Sequence, residues 1–543
     1  MLTLPLDPTD DRANPAFKDT AACRQWLAQL QLTNLQHANA TLRTQLDEFN
    51  RYPMRGQERL RTLELLRETV KYVQGDYAKK LFAKPLPLSK DELAIFQSIT
   101  GLWQGMVTGY QRCLQSYVAG DQQLVSYGAL LCQRCLMYSG LQILEYLRTS
   151  YEFDGQLWHQ MHALYAFAEE QGLHQTEVED KLDEHDRAPS CHAIYITTLF
   201  VAHAHPEELS RSQLQLLDRW LAQWSSTLLL ERKYLASKSK KDAPPLAVDF
   251  DGTQGLQSAI QAQMHGSNPR FLGMVPLSKL LRVKIILLQQ GQTPQQLELG
   301  SGINSTDCAK FLTRLHKHWC EGRPERMAER RSTTRETQAC YGIENIYAHI
   351  ANKPFRPEKG GKISDEARDQ IATFGRVLSD DGQRTSSKSG SAMEAWQIQD
   401  ESMLGARLLR QEAGEARLSP RQILATHHAE ATVCTLGVVA WLTVTQSGQL
   451  HAGVRHLPGT PQAVAVKTTG VNPAALTEAA ALLLPALPKL KIPASLIIPR
   501  NLFQAGRMLE MTSSDGETQK VKLGFSVEKG LNYERVSFTP AGS

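Results

Sequence analysis

Long apolar runs are missing from this 543-residue chain. The richest, Ala474 to Leu490, is broken by Glu478, Pro485 and Pro488, and so falls short of the roughly 20 uninterrupted apolar residues that a membrane-crossing helix requires. A basic, apolar leader is also missing from the start, where Met-Leu-Thr-Leu-Pro-Leu-Asp turns acidic at once. The expected location is therefore cytoplasmic. Charge of one sign is scarce: 60 basic against 56 acidic side chains leave a formal +4, too little for the concentrated basic face of a general nucleic-acid binder. The nine cysteines form no framework, which fits a reducing compartment. The close pair Cys132-Gln-Arg-Cys135 lies in apolar, helix-patterned sequence and reads as core packing rather than zinc or redox chemistry. Neither a P-loop nor a Gly-x-Ser-x-Gly elbow occurs, which removes the common nucleotide-hydrolase and serine-hydrolase templates.

What is present falls into three stretches. Residues 1–240 read as successive helices. Leu60, Leu63, Leu66, Val70, Val73 and Tyr77 recur at helical spacing, and Ser89-Lys-Asp-Glu92 and Ser210-Arg-Ser-Gln213 carry the capping-box pattern that opens a helix. The expected form is a bundle or a stack of helical hairpins. A polar, basic break at Ser237 to Pro245 closes this stretch. Residues 241–325 are mixed, with a strand at Leu246 to Phe250, a helix or buried strand at Leu277 to Leu288, and a helix at Asp307 to Cys320. From 326 to 543, β-branched and aromatic residues cluster between turn residues, the pattern of an antiparallel barrel. An insertion at 353–394, rich in charge, Gly and Ser, interrupts it. Strands are expected to resume at Ala395. A hairpin is expected around Gln446-Ser-Gly448, with further strands at Gln462 to Lys467, Ser495 to Pro499 and Lys520 to Phe525. The fold class is α+β multidomain: an all-α N-terminal region, then a barrel with a β extension at its C-terminal end.

Two short motifs stand out in the β region. The first, Arg330-Arg331-Ser-Thr-Thr-Arg335, contains Arg-x-x-x-Arg; the second, Asp400-Glu-Ser402-Met-Leu-Gly405, is Asp-x-Ser-x-x-Gly. Arg326 and Arg330 also satisfy the first pattern, but Arg331 and Arg335 abut the expected strand. In this order and context the pair resembles the ligand-binding pattern of PilZ domains, receptors for the bacterial second messenger cyclic di-GMP. Ala395 to Leu408 is similar to the PilZ strand carrying the second motif, and Leu436 to Leu442 and Ala452 to Leu457 to later barrel strands. The similarity covers about residues 326 to 467.

The resemblance implies a binding site at Arg330, Arg331, Arg335, Asp400, Ser402 and Gly405, with no catalytic residue, metal or cofactor. It also implies arginines on a flexible arm ahead of the strand, ordered by ligand and passing the signal to the helical region and its protein partner. The chemistry fits those residue types. A guanidinium fork bonds phosphate or guanine O6/N7 bidentately and stacks on a base, the Asp400 carboxylate accepts from guanine N1 and N2, and Ser402 adds a polar contact. Gly405 lets backbone approach closely. Each bidentate contact contributes roughly 1–3 kcal/mol, so several support micromolar binding, about −8.2 kcal/mol.

Rival readings use the same residues or others. The arginines can be surface ion pairs and Asp400-Glu-Ser402 a local turn, leaving a helical adaptor with a non-binding barrel. Leu246-Ala-Val-Asp249-Phe-Asp251-Gly-Thr253 is similar to the first motif of haloacid-dehalogenase-like phosphatases, in which Asp249 would attack phosphate and Asp251 act as acid/base. Such an enzyme requires a parallel strand and a metal-binding carboxylate pair, for which Asp380-Asp381 is the one candidate. His203-Ala-His205 and His427-His428 lack partners at zinc-ligand spacing.

Overall fold

The structure, a computed structural model, describes all residues except 1, 5, 184–186, 234–242, 322–330, 358–392, 412, 413, 415, 429, 430, 432, 470–477, 542 and 543. It divides into two compact units, Met1–Lys84 with Leu88–Met327, and Pro85–Pro87 with Ala328–Ser543. No described helix is long and apolar enough to cross a membrane.

The first unit opens with eight helices: α1 (Thr20–Gln29), α2 (Leu35–Arg51), α3 (Gly56–Tyr77), α4 (Lys90–Val118), α5 (Gly128–Thr149), α6 (Gln156–Glu170), α7 (Cys191–His203) and α8 (Arg211–Trp224). Both capping boxes form. Ser89 Oγ accepts from the Glu92 amide while Glu92 accepts from the Ser89 amide, opening α4; Ser210 and Gln213 do the same for α8. Each such cap contributes about 1 kcal/mol by satisfying amides that the first turn leaves free. All six apolar residues of the α3 stripe are buried.

A small antiparallel sheet in the order β1-β4-β2-β3 follows, from β1 (Leu230–Glu231), β2 (Leu246–Asp249), β3 (Gln257–Ser258) and β4 (Pro269–Leu272), with α9 (Ala259–His265) between β3 and β4. Then come α10 (Val275–Gln289) and α11 (Ser305–Cys320). This mixed stretch has only a small cluster of its own, Ala247, Ala259, Ala262 and Phe271, and is otherwise packed on the helices. Leu272, Leu281, Phe311 and Trp319 share one buried cluster with Phe200, Leu217 and Trp220 of α7 and α8. The strand/helix ambiguity at Leu277 to Leu288 resolves as helix. Cys132 and Cys135 are fully buried on α5, and desolvation pushes the Cys132 thiol up to about 12. Neither cysteine offers a reactive thiolate.

The bundle is crossed by a buried ionic network. Arg67 Nη2 donates to both oxygens of Asp180 at 2.7 and 2.6 Å, and Arg134 Nη1 reaches Asp180 Oδ2 at 3.2 Å. Glu64 accepts from Arg134 Nε at 3.0 Å, Arg67 Nη1 at 3.0 Å and the Tyr110 hydroxyl at 2.6 Å. Asp180 thus ties its loop to α3 and α5, and Glu64 ties α3 to α4 and α5.

The second unit contains two closed barrels. The first runs β5 (Arg331–Tyr341), α12 (Ile343–Ala351), β6 (Glu394–Ser402), β7 (Gly405–Arg410), β8 (Ile423–His427), β9 (Thr435–Val444) and β10 (Leu450–His456), and closes in the order β10-β7-β6-β5-β8-β9. The expected hairpin is β9–β10, turning through Gly448 at φ +84°. The C-terminal stretch does not extend this barrel. Its strands β11 (Gln462–Thr468), β12 (Glu478–Leu484), β13 (Ser495–Pro499), β14 (Met508–Ser513), β15 (Thr518–Lys529) and β16 (Tyr533–Pro540) close on themselves, β14 pairing back to β11. Helix α12 corrects the expectation of strands from Thr337 up to the insertion at 353: this segment is a short helix with Ile343, Ile346 and Tyr347 buried. Most of the expected insertion lies outside the described residues.

Breaking a buried ion pair by removing one partner costs about 3–5 kcal/mol, because the other charge stays buried. Asp180→Ala is therefore expected to destabilise the N-terminal unit by about that amount, read as faster amide hydrogen exchange throughout α3 and α5. Desolvation raises the Glu64 pKa, but the Arg134 hydrogen bond and charge, with those of Arg67, outweigh it and hold the carboxyl below its ordinary 4.5. Its contribution is present in full above that value and lost as pH falls through the lowered one. Acid titration followed by exchange in the same helices should show this loss below about pH 4.5, and Glu64→Gln should flatten it.

Candidate ligand site on the first barrel

The two motifs lie on neighbouring antiparallel strands. β5 pairs with β6 so that Arg331 faces Glu401 and Ser332 faces Asp400, and after a register shift Arg335 faces Ile398. Thr333 and Thr334 then oppose Gln399 alone, a β-bulge between the two arginines, which increases local twist and re-aims the residues on either side. The expected arm ahead of the strand is corrected here: Arg331 and Arg335 both lie within β5. Alternating inward residues hold the strand in register, since Thr337, Ala339, Trp396 and Ile398 are buried. Arg326 and Arg330 lie outside the described residues.

The spacing of Asp-x-Ser-x-x-Gly is the spacing of a hairpin tip. Ser402 and Gly405 are the last paired residues of β6 and β7, with Met403 and Leu404 forming the two-residue turn. Ser402 Oγ donates to the Gly405 carbonyl at 3.1 Å, so its hydroxyl closes the turn. A Cβ on Gly405 would lie 2.3 Å from the Val454 carbonyl oxygen of β10. Glycine is needed here so that β7 can approach its own neighbour β10, rather than for a positive φ. Met403 is the most exposed large apolar side chain described, at 86%, with Leu404 beside it at 52%.

Both charged motif side chains with described contacts are paired. Arg335 Nη2 donates to Glu401 Oε2 at 2.6 Å, and Arg407 Nε stands 3.2 Å from Asp400 Oδ2. His428 Nε2 lies 4.0 Å from Glu401 Oε1. Burial first, then the Arg335 charge, push the His428 imidazole below its ordinary range; burial also lowers His456, which senses Glu401. Glu401, Arg407 and His456 were not reached by sequence reasoning, and His428 was weighed only as a metal ligand. The period-2 pattern around Asp400 was the one available signal, because it places Glu401 and Arg407 on strands bordering the motif.

The rival sites separate from this one. Asp249 Oδ1 accepts from the Asn268 amide at 2.8 Å and its Oδ2 from the Ser267 amide at 3.2 Å, while Asp251 accepts from Ser267 Oγ at 2.7 Å. These are turn contacts at the end of an antiparallel strand, whereas the phosphatase motif requires a parallel one. Asp380 and Asp381 lie outside the described residues. His203 and His205 pack on the His318 ring, whose Nε2 lies 2.6 Å from the His203 carbonyl oxygen. Among the described residues no group of three or more His, Cys, Asp or Glu could hold a metal ion.

The described residues thus form a multidomain protein, a helical unit and two closed barrels, the first of which carries the arginine and Asp-x-Ser motifs on adjacent strands. Residues 21–235 match the family model described as "Cyclic-di-GMP receptor FimW, N-terminal domain", and residues 464–541 match "FimW C-terminal beta-barrel domain". A curated relative, the cyclic-di-GMP receptor FimW of Pseudomonas aeruginosa, is 21% identical across 95% of this chain and 90% of its own length. The chain is thus similar to FimW at both segments, in the same order. The C-terminal domain model covers the second barrel; the first barrel, with the two motifs, lies between the matched segments.

Gly405→Ala is expected to open the β7–β10 pairing and destabilise the first barrel by about 1–3 kcal/mol, the usual cost of forcing an atom into a packed site. Amide exchange at Leu450 to Arg455 should accelerate while β11 to β16 remain protected.

Proposed function

We propose that this chain is a cyclic di-GMP-binding signalling effector, with the nucleotide held on the first barrel and the helical unit relaying its presence to a protein partner. The single observation that carries the reading is the β5–β6 pairing, which sets the strand of Arg331 and Arg335 against that of Asp400 although the two motifs are far apart in sequence. A curated relative named as a cyclic-di-GMP receptor, and a family model of the same name over residues 21–235, support it. Arg331 and Arg335 take the phosphates and guanine Hoogsteen edges, Asp400 accepts from guanine N1 and N2, and Arg330 adds a cation. Ser402 and Gly405 shape the tip that carries Asp400. In this reading the chain is a binding protein rather than an enzyme, acting in the cytoplasm, and its one small-molecule ligand is the nucleotide.

One observation favours the second reading, an adaptor whose barrel binds no nucleotide: Arg335 and Asp400 already have protein partners. Calorimetric titration of the full chain with cyclic di-GMP separates the two. Saturable binding, weakened at least about thirty-fold in Arg331→Ala/Arg335→Ala, corresponds to two contacts of about 1 kcal/mol each or more and establishes the receptor. Absence of binding, checked by equilibrium dialysis with labelled nucleotide, leaves the adaptor.

A further inference from the structure

Resting on the receptor reading, we propose that Glu401 is an internal competitor for the nucleotide: its carboxylate occupies the guanidinium of Arg335, so that ligand binds by exchanging one anion for another. Glu401 sits in the variable position inside Asp-x-Ser, next to the residue assigned to guanine, and across the ladder from Arg331. Its Oε2 lies 2.6 Å from Arg335 Nη2, the length of a charge-assisted hydrogen bond. A carboxylate and a phosphate present the same pair of oxygens to a guanidinium fork. The Arg335 Nη2 donor engaged by Glu401 is thus unavailable to the ligand until Glu401 withdraws.

The environment makes that exchange feasible. Arg335 is 46% and Glu401 28% exposed, so the pair is partly hydrated and weak, in the class whose coupling is measured at about 0–1 kcal/mol. The other Glu401 oxygen lies 4.0 Å from His428, whose imidazole is held below its ordinary pKa range by burial and by Arg335 itself, so this neighbour is a weak competitor for the carboxylate. Glu401 therefore sets the nucleotide concentration at which the receptor fills, without itself contributing a contact to the ligand.

The test is a set of calorimetric titrations of the full chain with cyclic di-GMP: wild type, Glu401→Gln, and Glu336→Gln as a control. Glu336 is an exposed carboxylate adjacent to Arg335 in sequence, so its substitution makes the same change in net charge. The expected result is a Kd about two- to five-fold lower for Glu401→Gln, the fold-change equivalent of an exposed pair, and little change for Glu336→Gln. Equal tightening in both variants would assign the effect to the general field and overturn the competitor role. Unchanged or weaker binding by Glu401→Gln, with the wild type still binding, would also overturn it while leaving the receptor reading intact. No binding by any of the three, with circular dichroism showing folded protein, would remove the receptor reading and this inference together.

Discussion

The pairing of β5 with β6 is the constraint on which the rest of the second unit depends. β5 is central in its barrel, bonded to β6 on one side and β8 on the other, so nothing closes until the chain has returned from a long excursion after α12. That return is inexpensive, since loop-closure entropy rises by only about 0.6 kcal/mol for each doubling of length. Specificity comes instead from burial: a slip of one residue would turn Trp396 and Ile398 outward and Gln397 and Gln399 inward. The register that buries the apolar set also sets the Arg331 backbone against Glu401 and Ser332 against Asp400. The geometry of the candidate site is thus a by-product of core formation.

The second barrel has a buried cluster of its own, including Val464, Val466, Leu496, Leu509 and Val521, and the opposite face of its strands is packed in a seam with the first barrel. Ile343, Ile346 and Tyr347 of α12 share one buried cluster with Ile423, Leu436 and Val438 of the first barrel and Ala463, Leu482 and Ile497 of the second. Polar contacts reinforce this seam. Arg455 of β10 pairs with Glu528 of β15, and Arg421 donates to the Lys529 carbonyl while its own carbonyl accepts from the Leu531 amide. Arg455 also faces Gly405 across the β7–β10 ladder. The hairpin tip carrying Asp400 is therefore one strand away from the contact with the second barrel, a short path through packed structure between the candidate site and the domain that the family's C-terminal model covers.

Much of this was legible in the sequence, and the failures share a cause. Helices of the first unit could be read because their signals are local: the α3 stripe repeats every three or four residues, and Ser89 and Ser210 cap their own helices. Most strands of both barrels could be read for the same reason. Closure could not. Period-2 alternation in β11 to β16 is the same whether those strands extend one barrel or form another, and only the pairing of β14 back to β11 distinguishes the cases. The placement of Arg331 and Arg335 inside β5 was obscured because Arg-Ser-Thr-Thr-Arg offers no apolar alternation; its strand conformation is imposed by β6. Helix α12 was within reach, since Ile343, Ile346, Tyr347 and Ile350 hold helical spacing, but strand-rich surroundings concealed so short a segment. The tip of Asp-x-Ser-x-x-Gly was read for its chemistry when its spacing also encoded a two-residue hairpin.

The chain uses arginine–carboxylate pairing twice, and solvent exposure decides what each pairing does. In the helical unit the Arg134 side chain is 2% and Asp180 6% exposed, and every nearby carboxylate oxygen is taken up by Arg67, Arg134 or Tyr110. Withdrawing Asp180 there strands the Arg67 and Arg134 charges in a dry interior, so that pairing is scaffold. On the first barrel the same two groups meet at a comparable distance with water beside them, and either can be given up at little cost. A binding arginine must be neither permanently satisfied, which would leave it no reason to take a ligand, nor fully free, which would cost side-chain entropy on every binding event. In the receptor proposed above, pairing Arg335 with the partly exposed Glu401 meets both demands. The identity of that partner, on a residue the motif leaves unspecified, is where members carrying the same motif are free to differ in affinity.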